Sequence, residues 1–128
     1  MKDTSNVIRE IAFIDPAVAD VDTLIAGLRP EVFPIRLDAV TPAPEQMARA
    51  VAGLSGLKAI HVIAHGAPGE VGFAAGELSP ATLANHHGDL AAIGRAIGGG
   101  GELCVWACRV AAGSRGAAMY AALADAVG

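Results

Sequence analysis

The sequence predicts an α/β domain with a mostly parallel sheet, and two observations carry this prediction. The chain of 128 residues is 53% hydrophobic but only 4% aromatic, so its core must consist mainly of aliphatic side chains. Short β-branched runs alternate with Ala-rich amphipathic segments, a pattern typical of a parallel sheet covered by helices. The length suits one domain, so residues 1–128 are expected to form a single unit.

Hydrophobic periodicity predicts four strands and four helices in alternation. The expected strands are residues 11–14, 31–37, 57–64 and 102–107, and the expected helices are residues 21–28, 41–54, 79–97 and 111–127.

In the first half, the opening strand ends at the turn-forming pair Asp15-Pro16. The helix at 21–28 follows from apolar residues at helical spacing. Pro34 lies inside the second strand, and because proline cannot donate to a ladder, this strand is expected at the border of the sheet. Pro42, Pro44 and Glu45 indicate the start of the second helix.

In the second half, residues 57–64 are apolar almost throughout, as expected of a central parallel strand. The Gly-rich residues 66–76 contain a short apolar stretch and predict a small hairpin or a lid. Ser79-Pro80 indicates the next helix start, with a break expected near residues 86–88. The glycine run 98–101 is expected to be a flexible stop before the last strand.

Charge and composition exclude several classes of protein. The net charge of -4 offers no basic surface for nucleic acid or an anionic membrane. No apolar stretch approaches the roughly 18 residues of a membrane span, and no signal peptide is evident at the start. Two cysteines are too few for a disulfide scaffold. Cys104 and Cys108 lie about 13 Å apart along one strand, so free thiols are expected.

Two of the predicted strands lead to reactive side chains, His65 with Gly66 in one case and Cys108 in the other. Because the carboxyl ends of neighbouring parallel strands meet at one sheet edge, an imidazole and a thiol are expected in one crevice. A nearby imidazole and helix N-terminus favour the thiolate, which is the nucleophilic form. The sequence therefore predicts a His65 and Cys108 dyad for cysteine nucleophilic catalysis.

Three further residues complete the predicted site. The backbone N–H groups of Gly66 and of Cys108 itself are candidate donors to an oxyanion. Asp15 follows the first strand at the same edge, where it could orient an imidazole or contact a basic substrate group, although a turn-forming Asp-Pro is the simpler role. Arg109, next to the thiol, is the other candidate substrate contact.

Alternative roles stay open for the same residues. A cysteine that ends an apolar strand often serves as a small buried hydrophobe. Zinc is the rival chemistry for His65 and Cys108, with one histidine of the pair 86–87 as a third ligand. No Cys-x-x-Cys or His-x-x-x-His pair fixes that geometry, so no metal is predicted. The first strand is not followed by a glycine-rich phosphate loop, and no cofactor is predicted.

The remaining candidates are assigned to structural roles. Cys104 and His61 lie inside strands and are expected in the core, His61 with a hydrogen bond. Trp106 and Tyr120 are isolated and are expected to pack, while the histidine pair 86–87 is expected at the surface.

Several segments resemble an uncharacterised domain found near the N-terminus of large bacterial repeat-rich, adhesin-like surface proteins. The matching segments are residues 59–66 with Gly69, residues 106–113 with Gly116, and the opening residues 13–15 with 24–28. The similarity extends over nearly the whole chain. The paired His-Gly and Cys motifs are its most specific part.

That domain in turn resembles the caspase-like (clan CD) cysteine peptidases. The resemblance implies a three-layer α/β sandwich with a caspase-like sheet of order 2-1-3-4. It also implies His65 as general base or acid, Cys108 as nucleophile and Gly66 beside the oxyanion site. The implied substrate is a protein or peptide, or the remainder of a longer chain of its own. A secreted or cell-surface location is implied as well.

Relatives continue past the segment that matches residues 123–128 into a further strand, so the sheet is expected to lack its final strands. Three explanations stay open: the chain is a fragment of a longer one, a partner chain completes the sheet, or the substrate pocket is missing. Two hypotheses follow. In the first, the chain is a caspase-like cysteine hydrolase, with self-processing among its reactions. In the second, it is a non-catalytic interaction or retention module of a large bacterial surface protein, with an apolar edge strand available to another chain.

Overall fold

The structure is a computed structural model that describes residues 9–107 and 113–128. In chain order its elements are β1 (Glu10–Ile14), α1 (Val21–Ala26), β2 (Val32–Arg36), α2 (Ala43–Ala50), β3 (Leu57–Ile63), β4 (His65–Ala67), β5 (Glu70–Phe73), β6 (Gly76–Leu78), α3 (Pro80–Leu83), α4 (His87–Ala96), β7 (Ile97–Trp106) and α5 (Gly113–Val127).

The main sheet consists of four parallel strands in the order β2-β1-β3-β7. The predicted order 2-1-3-4 is therefore confirmed. β2 lies at one border, as the ladder-breaking Pro34 predicts. β1 is central, and all five of its residues are buried, because a parallel strand between two neighbours is covered on both faces.

One face of the sheet carries the main core. α4 contacts both α2 and α5, and the helical side chains of Met47, Ile93 and Leu123 join Phe13 and Val62 from the strands in a single buried cluster. On the opposite face, Leu24 of α1 lies over β1 and β3, and none of the six residues of α1 is fully buried. The helices on the two faces form the outer layers of the predicted three-layer α/β sandwich.

Residues 65–78 form a second, antiparallel sheet of order β4-β5-β6, where a hairpin or a lid was expected. Val71, Phe73 and Leu78 are buried and belong to the main core. The turn between β4 and β5 needs Gly69, whose φ is +79° and whose added Cβ would lie 2.8 Å from the Arg115 carbonyl oxygen. This small sheet is therefore packed against the first turns of α5.

The expected break in the third long helix is confirmed, since a single 3-10 turn at residues 84–86 separates α3 from α4. The glycine run was expected to be a flexible stop, and this prediction is wrong. β7 already begins at Ile97, and its register with β3 shifts between the pairs Leu57–Ile97 and Ala59–Glu102. Gly101 allows this irregularity because an added Cβ would lie 2.6 Å from the Leu57 carbonyl oxygen.

Candidate functional site

His65 is the first residue of β4, directly beyond the carboxyl end of β3, and it is exposed. Its Nε2 lies 3.0 Å from the carbonyl oxygen of Ala17, in the turn that follows β1. Because a carbonyl oxygen can only accept, Nε2 must carry the hydrogen. A neutral ring with this bond carries its lone pair on Nδ1, which is the form that a general base requires.

The strand that leads to the predicted nucleophile is well placed relative to His65. Cys108 and Arg109 themselves lie outside the described residues. β7 ends at Trp106, which is in register with Ile63 of β3, and the Ala64 N–H donates to the Trp106 carbonyl oxygen at 3.3 Å. Adjacent strands lie about 4.8 Å apart. The two chain segments thus reach the same edge of the sheet side by side.

Gly66, the predicted neighbour of an oxyanion, is half-buried in β4 and is paired with Val71 of β5. An oxyanion donor in this strand would be held by the antiparallel pairing of the small sheet. The oxyanion roles of Gly66 and Cys108 stay predictions, as does substrate contact by Arg109.

Asp15 lies at the same edge of the sheet but is fully buried. Its carboxylate accepts hydrogen bonds from the backbone N–H groups of Ala17 (3.1 Å) and Ala74 (2.8 Å). With no exposed surface and both oxygens engaged, Asp15 has no atom that can touch a substrate. The geometry does not support its predicted role as a substrate contact and favours a role in holding the surrounding backbone.

A second polar cluster lies on the face of the sheet that α1 covers. The Trp106 indole Nε1 donates to His61 Nδ1 at 3.1 Å, and His61 Nε2 lies 2.9 Å from Glu10 Oε1. Because the indole nitrogen is only a donor, His61 Nδ1 must be unprotonated, and Nε2 donates to Glu10. The Arg29 guanidinium donates to the same carboxylate oxygen at 2.8 Å. His61 is hydrogen-bonded as expected, and this cluster was not foreseen.

Hydrogen bonds from His61 and then from Arg29 hold the pKa of Glu10 below its ordinary value of 4.5, against the opposing effect of burial. A carboxylate with a lowered folded-state pKa stabilises the fold above its unfolded pKa, and this contribution disappears as pH falls through the folded value. The free energy of unfolding should therefore decline below about pH 4.5, and it should decline less steeply in Glu10→Gln. Urea titrations from about pH 7 to pH 3 measure both slopes.

Glu31→Gln is the matched control, because the exposed Glu31 bonds to the same Arg29 at 3.2 Å. Pairs between exposed side chains contribute little to stability. Glu31→Gln should keep the wild-type slope, and identical slopes in all three proteins would contradict the role of Glu10.

The predictions for Trp106 and for Cys104 need revision. Trp106 was expected to pack, but it is 61% exposed, because β7 borders the described sheet. Its indole nitrogen bonds to His61, and its ring stacks on the imidazole with centroids 6.3 Å apart. Cys104 was expected in the core, but it is half-buried on the same face as His61. Burial, reinforced by Glu102, raises the pKa of the Cys104 thiol, so it is a poor nucleophile at neutral pH.

Open space flanks both sides of Trp106. A cavity of about 430 Å³ lies under α1, lined by Leu24, Arg29, His61 and Trp106 among others. A second groove of about 590 Å³ runs between β7 and α5. Both are mainly apolar in their lining residues.

The described residues contain neither a candidate metal cluster nor a candidate membrane-spanning helix. No three His, Cys, Asp or Glu side chains there lie close enough together to hold a metal ion. His87 is exposed, and His86 Nδ1 lies 3.7 Å from an oxygen of Asp89. No helix within the described residues is long and apolar enough to cross a membrane.

Comparison with known proteins identifies the family without assigning an activity. Neither a curated protein nor a solved structure matches the chain significantly. A family model described as a domain of unknown function (DUF4347) matches residues 11–128, which include both strand-end motifs. The chain belongs to this family of domains of unknown function, DUF4347.

Proposed function

We propose that the chain is a caspase-like cysteine hydrolase that cleaves peptide bonds with Cys108 as nucleophile and His65 as general base and acid. The observation that carries the proposal is the geometry of His65. Its ring is exposed at the carboxyl edge of the sheet, and the Ala17 carbonyl selects the tautomer that carries the lone pair on Nδ1. The neighbouring strand β7 ends at Trp106 at the same edge, two residues before Cys108 in the sequence.

The proposed reaction needs no further reactant than water. His65 Nδ1 takes the thiol proton, and the Cys108 sulfur forms a bond to the carbonyl carbon of the substrate. As the C–N bond breaks, the His65 Nδ1–H protonates the leaving amine, and a thioester remains. His65 then removes a proton from water, whose oxygen attacks the thioester carbon. As the C–S bond breaks, His65 Nδ1–H returns that proton to the sulfur, which leaves the carboxylic acid and the free thiol. Throughout this cycle the His65 Nε2–H stays hydrogen-bonded to the Ala17 carbonyl oxygen.

Two features support the caspase-like class over a generic thiol hydrolase. The sheet has the order 2-1-3-4 that the resemblance implies. Gly66, the predicted neighbour of the oxyanion, follows His65 in a strand that pairs with β5. The proposed substrate is an exposed peptide bond, either in a longer chain that contains this domain or in a partner protein at a bacterial cell surface. Arg109 is the proposed contact to an acidic or carbonyl group of that substrate.

The test compares two thiols of the same chain. Cys104→Ala leaves Cys108 as the sole thiol, and Cys108→Ala leaves Cys104, whose raised pKa makes it the slow reference. At about pH 6.5, iodoacetamide should alkylate the Cys104→Ala protein at least about tenfold faster than the Cys108→Ala protein, because only an activated thiol is appreciably ionised there. Mass spectrometry of timed samples gives both rates.

Adding His65→Ala to Cys104→Ala should remove most of that advantage. Equal, slow alkylation of both single-thiol proteins would mean that Cys108 is an ordinary thiol and would overturn the proposal. For self-processing, the longest natural product that contains this domain should be cleaved in the wild type and intact in Cys108→Ala.

A second candidate function, an interaction module, is favoured by the outer edge of β7. Within the described residues β7 pairs only with β3, and its other edge faces the groove that contains Trp106, Tyr120 and Leu123. Trp106 and Tyr120 are 61% and 47% exposed. An unpaired strand edge offers a row of backbone donors and acceptors, so we propose an extended apolar segment of a partner polypeptide as its occupant.

Trp106 is the only tryptophan, so its fluorescence reports on this groove. A capped heptapeptide of alternating Val and Thr should change the emission of the Cys108→Ala protein in a saturable manner. Tyr120→Ala should weaken this binding, whereas Phe33→Ala, which removes an exposed aromatic ring from the opposite border strand, should not. Absence of any saturable change would argue against strand addition at β7.

A further inference from the structure

The fully buried carboxylate of Asp15 is used entirely inside the protein. Oδ2 accepts from the Ala17 N–H at 3.1 Å, and Oδ1 accepts from the Ala74 N–H at 2.8 Å. Burial of a carboxylate is costly unless its oxygens are hydrogen-bonded. Two backbone donors satisfy it here. One comes from the turn that bonds to the His65 ring, and the other from the turn after β5, the partner strand of β4.

The first segment is the turn after β1, where both peptide units that flank Ala17 are tied to Asp15. The unit between Pro16 and Ala17 is held through its N–H on Oδ2. The unit between Ala17 and Val18 is held because the Val18 N–H donates to the Asp15 carbonyl oxygen at 3.1 Å. This second unit contains the Ala17 carbonyl that accepts from His65 Nε2.

Two consequences follow for the Ala17 carbonyl. Its direction is fixed, because neither of the two peptide planes that flank Ala17 can rotate without breaking a hydrogen bond to Asp15. Its acceptor strength also increases, because the N–H of the same peptide unit is hydrogen-bonded and such chains polarise one another.

The second segment is the turn between β5 and β6, which contains Ala74. β5 is the partner strand of β4, with Gly72 directly opposite His65. Through Ala74, Asp15 therefore holds the strand that positions the backbone of His65. The backbone N–H of Asp15 makes a third hydrogen bond. It donates to the Ile63 carbonyl oxygen at the end of β3, with an N···O distance of 2.9 Å.

We propose that Asp15 is a positioning residue that sets the tautomer and orientation of the His65 ring through the Ala17 carbonyl. The catalytic meaning of this inference rests on the proposed function, whereas the structural claim does not. No atom of Asp15 is required to touch the substrate. Replacement of Asp15 should therefore change the tautomer and orientation of the His65 ring and should have little effect on substrate binding.

The experiment reads the tautomer directly. Long-range ¹H–¹⁵N correlation spectra of the imidazole rings are recorded on ¹⁵N-labelled Cys108→Ala protein at about pH 8, where imidazoles are neutral. The His65 signals, assigned by their loss in His65→Ala, should show the Nε2–H form. In Asp15→Ala they should shift to a mixture of both tautomers, and in Asp15→Asn, which keeps one oxygen acceptor, the shift should be smaller.

Asp20→Asn is the matched control, since Asp20 is an exposed residue of the same loop, has a φ of +55° that asparagine tolerates, and makes no side-chain capping bond. It should leave the His65 signals unchanged. If Asp15→Ala does not fold, Asp15→Asn decides the question.

In a protein that keeps Cys108, Asp15→Asn should lower the turnover number about tenfold to hundredfold with little change in KM. Misplacement of the base affects the reaction and not the substrate contacts. An unchanged Nε2–H tautomer in folded Asp15 variants would overturn the inference, whatever the activity. If the tautomer changes in the Asp15 variants but the wild-type protein never hydrolyses peptides, the positioning role stands and the proposed hydrolase does not.

Discussion

Replacing His65 with alanine should lower peptide hydrolysis by about 10²- to 10⁴-fold, the range that a positioned general acid and base contributes. The loss should appear in the turnover number, because His65 is proposed to act on protons of the thiol and of the leaving amine. A library of tetrapeptides with an aminomethylcoumarin leaving group provides the assay, since it samples many side chains before the cleavable bond.

His87→Ala is the control for a general loss of imidazole, because His87 is exposed at the start of α4. It should keep the wild-type rate. His61→Ala should behave differently from both, since His61 bonds to Glu10 and Trp106 on one face of the sheet and its loss should lower stability. Equal rates in wild type and His65→Ala would exclude His65 from the reaction.

Phe13→Ala should destabilise the fold by about 3–5 kcal/mol, the range for truncation of a buried phenylalanine. Phe13 is 0% exposed and lies in the central strand β1, between Ile35 of β2 and Val62 of β3. The shift of the urea midpoint at constant slope measures the loss.

Phe33→Ala offers a matched comparison, because it removes the same side chain from the border strand β2, where the ring is 50% exposed. Its cost should be clearly smaller, at most about 1 kcal/mol. Equal costs at the two positions would mean that β1 is not the centre of the sheet.

The order of strands and helices was predictable because it depends on local patterns. Periodicity of apolar residues reports which side of a segment is buried, and this sufficed for the main sheet and most of its helices. Pro34 also indicated the border position of β2, since the missing N–H acts locally. The prediction of a flexible stop at the glycine run was wrong because it, too, used only local information. Flexibility was inferred from composition, whereas the close approach of Gly101 to Leu57 is a contact between distant segments.

The candidate site was predictable only in part. Two strand-end motifs and the rule that parallel strands end at one edge predicted that His65 lies at the carboxyl edge of the sheet, where it begins β4. The state of its ring was not predictable, because the bond to Ala17 joins residues 48 positions apart. Likewise, Asp15 was assigned to the correct edge but not to its backbone partner Ala74, 59 positions away.

Local spacing and residue type were enough to predict the alternation of strands and helices and the parallel sheet, because each depends on short-range patterns in the chain. Tertiary structure alone decided that residues 65–78 form a separate antiparallel sheet, that Asp15 is buried under it, and that a carbonyl selects the His65 tautomer. These features depend on hydrogen bonds across long sequence separations, whose partners are set by how the loops pack and leave no periodic signal in the chain.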